Sequence, residues 1–146
     1  MAALSNYLEN NIIDYVLRGQ TFTPPSTLYV GLFTAAPSES GGGTEVSGGS
    51  YARASFASTL VNWAGTQGAG TTTASSGTSG TTSNNTVISF PTPTANWGVI
   101  THVALFDAST GGNMVIYGAL STSKTVNNGD SAPSFQAAAL SFQIDN

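Results

Sequence analysis

The chain contains no cysteine, which excludes disulfide frameworks, thiolate metal sites and cysteine nucleophiles. Charge is almost as scarce: 7% of the residues are Asp, Glu, Lys or Arg, where about 25% is ordinary. Three basic residues against seven acidic ones cannot build a surface that tracks phosphates, so nucleic acid is not an expected partner. A single histidine without thiols leaves no ligand set for zinc. No run approaches the ~18 apolar residues of a membrane span, so no membrane contact is expected. The opening MAALSNYLENN has neither a basic region nor a continuous apolar one, so no secretory signal peptide is expected.

Solubility then falls to Ser, Thr, Asn and Gly. A surface of that kind can be laid against a protein neighbour without stripping water from many ions, a cost of several kcal/mol per buried ion. At 146 residues one domain, 1–146, is expected, large enough to bury roughly two-thirds of its unfolded surface without metal or disulfide staples.

The most structured stretch runs from Trp97 to Asp130. Val99–Phe106 and Met114–Leu120 are two runs of β-branched, aromatic and aliphatic residues, separated by Ala108–Asn113, a loop of small polar residues with two glycines. That pattern predicts a β-hairpin. Its first strand is apolar on both faces, Val99, Val103 and Leu105 against Ile100, Ala104 and Phe106. The hairpin therefore belongs in the middle of a sheet.

Residues 5–18 form the one predicted helix. Asn6 with Glu9 has capping-box spacing, and Ser5 is an alternative N-cap. Leu8, Ile12, Tyr15 and Val16 make one apolar stripe, Asp14 and Arg18 stand at i, i+4, and Gly19 supplies the stop. The stripe is expected to bury against its own sheet, with a partner subunit as the alternative. Strands follow at 27–33, at 51–60 as an edge, at 86–90, closed by Pro91 and Pro93, and within 135–144, where Leu140, Phe142 and Ile144 alternate with polar residues. From Ala64 to Ser83 every residue except Gln67 is Gly, Ala, Ser or Thr. With no apolar area to offset ordering entropy, this stretch reads as a mobile loop or a long β-excursion. About seven strands and one N-terminal helix predict a mainly β chain, an antiparallel β-sandwich or jelly-roll-like domain.

Chemistry is hard to find. His102 lies mid-strand in the most apolar run, and no Gly-x-Ser-x-Gly elbow places a serine. Glu39 and Glu45 sit in a glycine loop, poor scaffolding for paired catalytic acids. The glycines at 41–43 and 48–49 lack the strand–loop–helix context and the Lys-Ser/Thr of a phosphate cradle. Asp107 beside Gly111-Gly112-Asn113 reads as an Asx-type turn before it reads as a calcium site. No catalytic, metal-binding or cofactor-binding residue is assigned, and the chain is not expected to be an enzyme.

ALSNYLEN, IIDYVLRG, PSTLYVGLFTAAP, GTEVSGGSYAR, WGVITHVALFDASTGGN and YGALSTSKTVNNGD, in that order, resemble blocks of a family of small tailed-bacteriophage virion proteins. Its members are labelled tail-fibre-like, and comparable small β proteins serve as capsid cement or decoration proteins. For a cement protein the resemblance implies a homo-oligomer, trimer or dimer, bound to the major capsid protein lattice on the virion and made in the host cytoplasm. Inter-subunit contacts are expected from the helix, the 39–50 loop and the 71–83 stretch, with Leu4, Tyr7, Glu45, Tyr51, Arg53 and Trp63 as candidates. The rivals are an adapter within the tail and a tail-fibre or tail-tip protein recognising host glycan. The latter would show an exposed aromatic platform of Trp63 or Trp97 with Tyr51.

Overall fold

The computed structural model describes residues 2–144; Met1, Asp145 and Asn146, which the expected 1–146 domain includes, lie outside them. The chain is an antiparallel β body with one helix near its N-terminus. Its elements are β1 (Ala2–Leu4), α1 (Asn6–Leu17), β2 (Thr27–Ala35), β3 (Thr44–Glu45), β4 (Ala54–Ala57), β5 (Thr81–Ser83), β6 (Ile88–Ser89), β7 (Gly98–Phe106), β8 (Met114–Val126), β9 (Ser134–Phe135) and β10 (Ser141–Gln143). These outnumber the strands expected because several are two or three residues long, too short to show a period.

The main sheet runs β1-β8-β7-β2-β3, and β4 also pairs with β2. Since β7 takes one edge of β2, β3 and β4 share the other, end to end. The predicted hairpin, β7–β8, is central as expected. A second layer forms from two ribbons, β5–β10 and β6–β9. Ile88, Phe90, Leu140 and Phe142 from this layer pack with Val30, Leu32, Val103 and Leu105 of the sheet into the principal core. Each such side chain, fully buried, contributes about 1.5–3 kcal/mol. Phe33, Ala104, Phe106 and Met114 form a smaller cluster on the opposite face.

The two faces of β7 differ from the simple alternation expected. Ile100 joins Val103 and Leu105 in the principal core, while Val99 stays 47% exposed. A bulge explains it: the register with β8 shifts between Ile100 and His102, where Lys124 and then Ala119 are the partners. An irregularity of that kind reverses which residues face inward.

Helix α1 departs furthest from expectation. Ser5, not Asn6, is its N-cap: the Ser5 side chain accepts from the Leu8 N–H at 3.3 Å and donates to the Met114 carbonyl. The expected Asp14–Arg18 pair forms at 2.8 Å, and Gly19, at φ +66°, turns the chain so that the Gln20 N–H reaches the Asp14 carbonyl. No helix residue is buried. Of the expected stripe only Leu8 is half-buried; Ile12, Tyr15 and Val16 are 39%, 61% and 66% exposed, and Ile13 and Leu17 beside them 49% and 76%. The reason is anchorage at one end only, with the Ser5 N–H on the Val115 carbonyl and the Asn6 N–H on the Glu39 carbonyl, so the last turns stand clear. Among the described residues no helix is long and apolar enough to cross a membrane.

The 64–83 stretch is a turn-rich loop that ends in β5, not a long β-excursion. Hydroxyls and amides tie it in place of apolar burial. The Gly65 N–H donates to Thr71 Oγ1 at 2.9 Å, Gln67 Nε2 to the Ala74 carbonyl at 2.6 Å, and Asn85 Nδ2 to the Thr71 carbonyl at 2.9 Å.

Candidate docking interface

Arg53 organises the face of the sheet that carries Phe106. Its guanidinium grips Glu45 with two parallel bonds, Nε to Oε1 and Nη2 to Oε2, both at 2.8 Å. Nη1 donates to the carbonyls of Ala108 and Gly111 at 2.9 and 2.8 Å. The carbon of the guanidinium lies 3.4 Å from the centroid of the Phe106 ring, a cation–π arrangement. The Arg53 side chain is 7% exposed and that of Glu45 26%. The glycine-rich loop that carries Glu45 is thus pinned between the edge of β2 and the hairpin turn. Gly31 makes room for it: a Cβ there would stand 2.9 Å from Glu45 Oε1 and 3.1 Å from the Phe106 ring.

Tyr51 completes the cluster. Its hydroxyl donates to Glu45 Oε1 at 3.0 Å and accepts from the Leu32 N–H at 2.9 Å. Burial, with the Glu45 carboxylate alongside, pushes the phenol well above its usual range. The unfolded chain releases that proton first, so the stability this hydroxyl contributes is complete below about pH 10 and declines above it.

Of the six candidate contact residues, then, Glu45, Tyr51 and Arg53 come together within the chain, the latter two each bonded to Glu45. Leu4 sits in β1 opposite Ile116, half-buried. Tyr7, also half-buried, lines a cleft of about 450 Å³ between the 39–43 loop and the hairpin turn. Trp63 packs edge-on against Phe56, ring centroids 5.2 Å apart. Its buried indole N–H has no partner among the described residues.

The aromatic platform expected for a glycan reader is not present. Trp97 is 5% exposed, bonded through Nε1 to the Gly49 carbonyl at 2.9 Å, with Tyr51 set edge-on against it. Asp107 is occupied by Asn113, whose N–H and Nδ2 bond its two oxygens at 2.7 and 2.8 Å; the bonds close the loop across six residues, not the two of the Asx-type turn expected. His102 Nδ1 is 2.8 Å from Thr101 Oγ1.

Beside scattered exposed apolar residues such as Leu60, Val61 and Val87, two open surfaces stand out. One is the free face of α1. The other is a cleft of about 750 Å³ beside β8, where the sheet and the two ribbons part. Sequence reasoning missed the cleft, because its walls come from residues as far apart as Leu32 and Phe142.

The uncovered apolar side chains of α1 are a surface of the kind that marks interaction sites. The chain belongs to the phage structural family described as Podophage GP4 fiber I protein gp80, which it matches over residues 3–143. No curated protein matches it.

Proposed function

We propose that the chain acts without chemistry of its own, as a repeated homo-oligomeric subunit of a phage particle, seated on protein neighbours through α1. The observation that carries this is the exposure of Ile12, Ile13, Tyr15, Val16 and Leu17 on a helix whose first turn is firmly anchored. Covering the exposed part of such side chains contributes a fraction of the about 1.5–3 kcal/mol that full burial gives each, and many copies on one particle multiply modest interfaces into avidity. Family membership supports a place on a fibre. The two-layered β body supports the second placement, a cement or decoration protein on the major capsid protein lattice.

Replacing Ile13 and Leu17 by aspartate tests the mechanism. Both positions are exposed, so the variant is expected to keep its circular dichroism spectrum while sedimenting as a monomer and failing to join particles. An unchanged oligomer would overturn the proposal. Densitometry of purified virions separates the placements: on the order of hundreds of copies for a head lattice, on the order of tens for a fibre.

A further inference from the structure

We infer that the cleft beside β8 receives helix α1 of a second copy, so that protomers join head to tail. This rests on the reading of α1 as the docking element and adds the surface it docks on.

The two pieces are matched in charge. Arg18 and Arg53 are spent on Asp14 and Glu45, which leaves Lys124 as the basic residue without an ion pair among the described residues. Lys124 stands on the rim of the cleft, the one charged residue that lines it. On the helix, Glu9, Ile12, Ile13, Val16 and Leu17 fall at i, i+3, i+4, i+7 and i+8, one continuous face. Glu9 is the one charge on that face and forms no ion pair among the described residues. Each surface therefore offers apolar groups and a single charge, and the signs are opposite.

Placement makes the contact intermolecular. The first turn of α1 is tied to Val115 and Glu39, at the hairpin-turn end of β8, whereas Lys124 pairs with Ile100 near its other end. The helix leaves its own cleft uncovered, its C-terminal half exposed. The cleft wall is also short of a strand. β1 pairs with β8 only at Ile116, Tyr117 and Gly118, and the residues beyond, Ser121 to Thr125, are exposed. A helix entering a cleft elsewhere on its neighbour is a heterologous contact, which closes into a ring or extends as a filament.

The test is a charge exchange in the full chain. Glu9→Lys and Lys124→Glu, each alone, set like charges together, and either is expected to weaken self-association about tenfold by sedimentation equilibrium. The double variant restores the attraction and is expected to recover most of the wild-type association. Circular dichroism confirms folding of all three. Association untouched by Lys124→Glu, or a double variant no better than the singles, overturns the inference. If the Ile13/Leu17 variant still dissociates in that case, the helix docks elsewhere and the proposed function stands. A wild-type monomer removes both.

Discussion

Arg53→Ala is expected to lower the stability of the fold by about 3–5 kcal/mol, the cost of breaking a mostly buried ion pair from one side. The substitution strips Glu45 of both its charge-assisted bonds and frees the Ala108 and Gly111 carbonyls. It also uncovers the Phe106 ring. Urea denaturation measures that loss, and thermal unfolding should show a fall in melting temperature of roughly 10 °C for a chain of this size. Arg53→Lys keeps the charge but loses the planar fork, and should recover only part of the loss. Pairing Arg53→Met with Glu45→Leu should cost less than the sum of the two alone, because neither charge is then left unpartnered. An Arg53→Ala chain within about 0.5 kcal/mol of wild type would mean the cluster is ornamental and the glycine loop is held by something else.

That cluster shows where the sequence stops being readable. Arg53 and its carbonyl partner Gly111 are separated by 58 positions, and nothing local marks either as belonging to the other. What the sequence does display is local or periodic. The hairpin is legible because β7 and β8 are long and rich in β-branched residues, and α1 because its cap, its Asp14–Arg18 pair and its stop lie within one short stretch. The bulge near Thr101 is invisible since no residue type announces it, and it alone decides that Ile100 rather than Val99 faces inward.

The helix carries a second lesson. An amphipathic stripe states that a face will be covered, not by whom. The Gly, Ser and Thr residues after Ala64 pose the reverse problem, because hydrogen bonding by side-chain hydroxyls has no period to detect. The cleft is a third kind of omission. It exists because the second layer is two short ribbons instead of a full sheet, and so depends on pairings of two or three residues.

The ribbons themselves hang on Asn84, and its replacement by alanine is expected to cost about 3–4 kcal/mol as a broken buried network. Asn84 is fully buried. Its Oδ1 accepts from the Leu140 N–H at 2.9 Å, and its Nδ2 donates to the Thr86 and Gln136 carbonyls, each at 2.8 Å. Its backbone adds bonds to Leu140 and Ala138. One side chain therefore holds the turn from Gln136 to Leu140 against the strand that precedes it. Alanine leaves a buried N–H and two carbonyls without partners, whereas hydrogen bonds lost at an exposed site would be replaced by water. Asn84→Asp provides the sharper version, since a carboxylate there faces two carbonyl oxygens and has no proton to give them. Its folded pKa must rise above the unfolded value, so the penalty is largest at neutral pH and shrinks as pH falls toward about 4. A penalty for Asn84→Asp that is the same at pH 8 and pH 4 would show that the side chain does not sit among those carbonyls. Leu140 and Phe142 line the cleft beside β8, so loosening this turn should also weaken self-association if the neighbouring helix enters there, and leave it intact if α1 docks elsewhere.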